Sequence, residues 1–374
     1  MPKMVNICDV CSEIFAGGDA PKNNMSIEKT DKYNIPIYSN GEANDGLYGF
    51  TNFARVFEPS ITISARGTIG YTSVRNTPFV PIVRLITLVP KKDIIDIRYL
   101  FYAAQNYKFD GSGTSIPQLT VPALKKYNFP LPEIEEQKQI VGMLDKICDL
   151  IDLRKQQLSK LDELVKARFV EMFGDLVFGD KYSDNKCKIG NIASVTKLAG
   201  FEFTKYIQYK EEGDIIMLRG INCKKGHLIL DDIKWIDKET SDLLPRSKLY
   251  YGDILMTYAG TIGDVAMVDS DNKYHLAPNV AKITLHDKEK CNPLFLIHLF
   301  MYSHDYIMTF ASQVAQASIN MEKIRNFEYF FPPVQLQNEF ADFVKQIDKS
   351  KFEVQQSLEK LETLKKSLMQ QYFG

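Results

Sequence analysis

Two stretches of the chain carry apolar residues spaced alternately three and four apart. The first row is Ile140, Leu144, Ile147, Ile151, Leu158, Leu161 and Val165, with Arg154 and Arg168 at intervening positions. The second is Phe340, Val344, Ile347, Val354, Leu358, Leu361 and Leu368, interrupted by Lys351 and Lys365. This period predicts two long helices of the coiled-coil type. Pro132 and Pro332 suit helix starts, and Glu133, Glu135 and Glu136 favour the positive end of the first helix. Gly174 and Gly374 serve as stops. About 40 residues at ~1.5 Å each make a rod of roughly 60 Å. Neither rod can leave its apolar row in water. Antiparallel pairing within one chain is therefore expected, which relates the halves by a pseudo-twofold axis and puts the globular blocks at opposite ends. Pairing with a copy in a second chain is the alternative.

Elsewhere the pattern shortens. Each remaining block opens with a short apolar–polar run, "VNICDVCSEI" at 5 and "CKIGNIASVTKL" at 187. Each reaches a centre rich in β-branched residues, "SITISARGTIGYTSV" and "YGDILMTYAGTIGDVAMV". Such runs, bounded by Gly, Asn and Pro, predict strands. A short helix follows in each, within "DIRYLFYAAQNY" at 96 and "NPLFLIHLFMYS" at 292. The expected fold class is α/β (α+β), with two globular blocks separated by two long antiparallel coiled-coil helices. The segments are 1–127, 128–175, 176–327 and 328–374: block, helix, block, helix.

The halves repeat. With residues 128–174 laid over 328–374, a shift of 200 without gaps, eleven of 47 positions are identical. They include Pro132/Pro332, Gln137/Gln337, Leu161/Leu361 and Phe173-Gly174/Phe373-Gly374. Gly67-Thr68-Ile69-Gly70 returns as Gly260-Thr261-Ile262-Gly263, offset by 193. The chain is a tandem duplication of a variable block followed by a long helix.

Composition narrows the chemistry. A chain of 374 residues exceeds the usual size of a single core. A net charge of −1 and a pI near 6.6 count against a histone-like binder held mainly by phosphate contacts, though not against local basic surfaces. No run approaches the ~20 apolar residues of a membrane span, and "MPKMVNICDV" lacks the layout of a secretion signal. A reducing cytoplasm fits the six scattered cysteines. Cys8 and Cys11 form one CxxC with no second pair to complete a zinc site. There is no GxxxxGK[ST] loop, no Asn/Asp-Pro-Pro-aromatic loop for an amino-methyltransferase, and no ligand spacing among the five histidines. The glycine clusters "GSG" at 111 and "AGGDAPK" at 16 lack a strand–helix frame. No enzyme emerges.

The helix opening "PLPEIEEQKQI", its closing "EMFGD", and the repeated frame spanning essentially the whole chain resemble the DNA-specificity subunit of type I restriction–modification systems. "ISARGTIG" is similar to that family's loop at the edge of each target-recognition domain. The second helix departs from the pattern with Gln335-Leu336-Gln337-Asn338, and Arg66 is matched by Ala259, which limits any role of that arginine to one half. The chain opens directly in the first recognition block, so the C-terminal helix is expected to close the framework. The resemblance implies a non-catalytic subunit in which each block reads one part of a bipartite, asymmetric site on double-stranded DNA. The helices would set the gap and dock two methyltransferase subunits, with restriction/translocase subunits joining. S-adenosylmethionine, ATP and Mg would belong to those partners, with none in this chain. No membrane partner is expected, and the expected location is the cytoplasm.

Base-edge reading needs a few Arg, Lys, Asn and Gln contacts rather than a basic body. Candidates in the first block are Asn40, Asn44, Tyr48, Arg66, Thr68 and Tyr71. Those in the second are Arg219, Asn222, Lys224, Lys225, Arg246, Lys248, Thr257, Tyr258 and Thr261. The repeated glycines are expected to shape a turn rather than touch bases. The competing reading is a coiled-coil scaffold whose two blocks bind protein partners. A self-sufficient methyltransferase is a third possibility.

Overall fold

The computed structural model describes residues 2–107, 118–312 and 317–374; Gly111-Ser112-Gly113 lies outside the described residues. Four helices organise the chain: α1 (Ile97–Asn106), α2 (Ile134–Phe173), α3 (Pro293–Tyr302) and α4 (Val334–Phe373). The two long ones have 40 residues each, so each is about 60 Å long. Both apolar rows are covered. Ile140, Leu144, Ile147, Ile151, Val165, Phe340, Val344, Val354 and Leu358 are buried, and Leu158, Leu161, Ile347, Leu361 and Leu368 are half-buried.

The chain forms two compact units, 1–156 with 354–374, and 157–353. Each unit holds one block and one half of each long helix. In the first, Ile140, Val141 and Leu144 at the start of α2 share a core with Met369 and Phe373 at the end of α4. In the second, Val165, Phe169 and Phe173 at the end of α2 share a core with Phe340 and Val344 at the start of α4. Within each unit the two helices therefore run antiparallel. The unit borders fall inside the helices, whereas the sequence segments end at 127, 175 and 327, because each half-helix buries its row together with a block. The segment at 128 also begins as a strand: Asn128–Leu131 pairs with Lys3–Asn6, and Glu328–Phe330 pairs with Lys186–Lys188.

Each block is built on a four-stranded antiparallel sheet. In the first unit the strands are β1 (Cys11–Ala16), β2 (Ser60–Ile63), β3 (Thr72–Arg75) and β4 (Ile86–Pro90), in the order β1-β4-β2-β3. In the second they are β5 (Ala193–Lys197), β6 (Ile254–Thr257), β7 (Val265–Met267) and β8 (Val280–Leu285), in the order β5-β8-β6-β7. The order is the same. Both inner strands, SITI and ILMT, are buried along their whole length; ILMT reads as a near-continuous apolar run, whereas SITI alternates, its buried Ser60 donating to Glu58 O and Thr62 accepting from Arg75 Nε. Each block adds a three-stranded mixed sheet: Leu47–Thr51, Ile35–Tyr38 and Val80–Pro81 in the first, and Lys234–Ile236, Ile215–Leu218 and Tyr274–Leu276 in the second. Antiparallel sheets with segregated helices define the α+β class expected from the pattern.

The duplicated glutamines explain how block and rod are joined. Asp96 caps α1 by accepting from the Arg98 and Tyr99 amides; Asn292 caps α3 through the Leu294 and Phe295 amides. Buried Gln137 accepts from the Asp96 amide at 2.8 Å and donates to the Pro132 carbonyl at 2.9 Å and the Ile94 carbonyl at 3.1 Å. Buried Gln337 accepts from the Asn292 amide at 2.9 Å and donates to the Pro332 carbonyl at 2.8 Å. One side chain thus holds a long-helix start against a short-helix start in each unit. The helix ends are anchored in matching fashion: Phe373 packs against Tyr99 of α1 at 4.9 Å with the rings tilted, and Phe173 meets Phe295 of α3 edge-on at 5.1 Å.

Among the described residues no helix is long and apolar enough to cross a membrane, and no group of His, Cys, Asp and Glu is placed to hold a metal ion. Cys8 is exposed, whereas burial pushes the Cys11 thiol up to about 12.

Candidate nucleic-acid interface

The repeated Gly-Thr-Ile-Gly closes the central hairpin of each block, β2–β3 and β6–β7. Gly67 and Gly70 have φ of 70° and 87°, and Gly260 and Gly263 have 82° and 88°, a region that L side chains rarely enter. The hydrogen bonds repeat with the residues. The Gly70 amide donates to Ser64 O at 3.0 Å, and the Gly263 amide to Thr257 O at 2.9 Å. The Ser64 amide donates to Tyr71 O, and the Thr257 amide to Asp264 O. Each loop is also tied to a distant segment, by Leu119 N to Ala65 O and by Ile319 N to Tyr258 O, both at 2.9 Å. Space above a Cβ is open at Gly67 and Gly260, so these glycines are required by backbone geometry alone.

In the first unit the structure gathers several candidates around this loop. Asn40 donates to Val83 O at 2.6 Å and accepts from the Ala65 amide at 2.7 Å. Arg66 is exposed at the loop's edge, where its Nε and Nη2 both donate to Gln118 Oε1, at 2.9 and 2.7 Å. Thr68 is exposed at the tip. The Tyr71 hydroxyl donates to Asp45 Oδ1 at 3.0 Å, and burial pushes its pKa up. Asp45 also accepts from Ser73 and pairs with buried Arg75, which stacks over Tyr38 at 3.6 Å. That anchor holds Asn44 and Asp45 in the left-handed region, φ 49° and 53°, and leaves Asn44 exposed. Tyr48 stands half-exposed on the strand Leu47–Thr51.

The second unit distributes its candidates differently. Thr261 is exposed on the hairpin tip, but Thr257 is fully buried and donates to Thr261 O. The half-buried Tyr258 ring lies under Lys197 at 5.4 Å, and its hydroxyl accepts from the Asn279 amide. Asn222 is also buried. It accepts from the Arg219 amide at 3.0 Å and donates to Ile229 O and Asp232 O, while the Arg219 guanidinium binds Asp232. Asn222 and Thr257 thus spend their polar atoms inside the fold and build loops rather than face a ligand. Lys224 and Lys225 stand exposed on the turn between Cys223–Lys224 and His227–Leu228, with Lys225 at φ 50°. Arg246 is exposed, and Lys248 is half-buried against Asp242, whose hydrogen bond raises the lysine pKa and lowers that of the carboxyl. Lys282, absent from the sequence-derived candidates, donates to the carbonyls of Arg246 and Lys248 and has its pKa lowered by burial.

The first unit therefore presents Asn44, Arg66 and Thr68 to solvent, and the second Lys224, Lys225, Arg246 and Thr261. Such side chains can donate to base edges and phosphates. The anchors Asp45, Arg75, Gln118 and Asp232 were not legible as site residues; a turn signal at Asn44-Asp45-Gly46 was the sole hint.

A model of the type I restriction modification DNA specificity domain matches residues 3–163 and 185–365, and the chain belongs to this family. Two Mycoplasma pneumoniae proteins assigned as type I specificity subunits are 37% and 33% identical over 168 and 172 residues. Those alignments cover 42% and 43% of the chain and 50% and 47% of the relatives, so the chain spans about half their length. The EcoBI specificity subunit of Escherichia coli is 24% identical over 375 residues, covering 91% of the chain and 77% of that protein. The fold is that of the S subunit from M. genitalium: TM-score 0.59 at 16% identity, covering 100% of this chain and 96% of that one.

Proposed function

We propose that the chain is the non-catalytic DNA-recognition subunit of a type I restriction–modification complex, acting in the cytoplasm on a bipartite site in double-stranded DNA. The observation that carries this reading is duplicated: a specificity-domain match in each half, on blocks that share a sheet order and a glycine-closed hairpin. Each block reads one part of the site through its exposed loop side chains. Arg66, Asn44 and Thr68 serve in the first; Arg246, Lys224, Lys225 and Thr261 serve in the second.

The long helices set the unread gap and dock two methyltransferase subunits. Those subunits supply S-adenosylmethionine chemistry, with base flipping at the target adenine. Restriction subunits bring ATP and Mg. A scaffold that binds only proteins needs no such donor-rich loops.

The test exchanges residues 1–127 for the block of a relative and measures binding by the methyltransferase complex across a library of duplexes. One half of the recognised site changes and the other stays. A change in both halves, or equal binding to every sequence, refutes the reading. Deleting seven residues from each helix shortens it by roughly 10 Å and the gap by about three base pairs.

A further inference from the structure

Each unit contains a cleft between its block and its half of the helix pair. In the first it has a volume of about 520 Å³ and is bordered by Tyr71 beyond the hairpin, Asn106 at the end of α1, and Lys155, Lys365 and Lys366 of the long helices. In the second it has a volume of about 600 Å³ and is bordered by Tyr302 at the end of α3, the Lys224–Lys225 turn, and Lys166 and Lys351. The two clefts coincide under the internal repeat. Asn106 corresponds to Tyr302 as the last residue of its short helix, and Lys366 to Lys166, one of the eleven identical pairs among the 47 aligned positions.

Most of the acids at the two sites are neutralised within the clefts. Glu362 pairs with Lys155 at 3.6 Å, and Asp162 and Asp348 both pair with Lys351, at 2.6 and 3.6 Å; Glu163 adds one further carboxylate at the second cleft. Exposed Lys166 and Lys366 make no ion pair or hydrogen bond with the described residues, and neither do Lys224, Lys225 and Lys365. The first cleft therefore presents unpaired Lys365 and Lys366, and the second Lys166, Lys224 and Lys225 against the single carboxylate of Glu163, so each keeps an excess of ammonium groups beside its block.

We infer that Lys166 and Lys366 bind backbone phosphates of duplex DNA, one flanking each recognised half-site. This rests on the recognition reading above and adds a contact made by the helices. An ammonium on a flexible stem is a point charge suited to phosphate and carries no base-edge pattern. Because these lysines belong to the repeated helices, their contacts persist whichever sequence the blocks select.

The test compares the K166A/K366A double variant with K160A/K360A in the complete methyltransferase complex. Lys160 and Lys360 form another identical pair, exposed on the same helices but absent from both clefts, so the two variants remove equal charge. Binding to the specific duplex is measured across a salt series. K166A/K366A should make the slope of log K against log salt shallower by about 1.8, and weaken binding roughly 30-fold at about 0.15 M salt. The ranking of sequences stays unchanged, K160A/K360A matches the parent, and K166R/K366R restores the slope.

An unchanged slope overturns the inference while leaving sequence-specific binding intact. Loss of the methyltransferase subunits at constant slope overturns it in favour of a protein-docking role. If the parent complex shows no sequence preference, the recognition reading and this inference fall together.

Discussion

Replacing Gln137 by methionine keeps the length and flexibility of the side chain while deleting its polar end. The volume left empty is small, so the effect isolates the hydrogen bonds. Three are lost: the Asp96 amide loses its acceptor, and the Pro132 and Ile94 carbonyls lose a donor. A net hydrogen bond contributes about 1 kcal/mol, and a stranded buried group costs about 1–3 kcal/mol. The first unit should lose about 3–5 kcal/mol. Gln337→Met removes two such bonds and should cost the second unit about 2–4 kcal/mol. Native-state hydrogen exchange separates the units. At about 1.4 kcal/mol per factor of ten, the Asp96 amide should exchange at least 100-fold faster in Gln137→Met. The Asn292 amide stays at its parent rate in that variant, and the pattern reverses in Gln337→Met. An Asp96 amide that keeps its protection, or equal losses in both units from either change, would refute the latch.

Phe373→Ala should destabilise the first unit by about 3–5 kcal/mol through the cavity it leaves beside Tyr99, although residue 373 lies at the far end of the sequence; Phe173→Ala should do the same to the second, each read by denaturant unfolding. Gly67→Ala and Gly260→Ala meet open space yet force φ of 70° and 82°, so each should cost about 1–2 kcal/mol in thermal unfolding, and less as Asn. Burial beside α4 lowers the His298 pKa from 6.5 to about 3. Its neutral form is the folded form, so the unfolded chain takes up the proton first and the second unit loses stability as pH falls from about 6.5 towards 3. His298→Phe should flatten that acid limb in a pH series of unfolding midpoints, and an unaltered limb would exclude His298 as its source.

The amino-acid order alone determined the elements with local period: both apolar rows, the helix ends at Phe173-Gly174 and Phe373-Gly374, and the hairpins closed by the repeated glycines. Spacing of three and four or a positive φ depends on neighbours in the chain, and duplication displayed each signal twice. The class of the blocks was also legible, because β-branched runs between turn residues admit few alternatives. What touches the loops was decided by tertiary structure. Asp45 reaches Arg75, Arg66 reaches Gln118, and Lys282 reaches the Arg246 carbonyl across 30, 52 and 36 residues of chain. Composition marks none of these pairs. Asn222 and Thr257 read as surface donors for the same reason, since burial is a property of what packs above a residue. The assignment of each half-helix to a block likewise follows from burial: an apolar row specifies that it must be covered, while the partner that covers it depends on where the whole chain has folded.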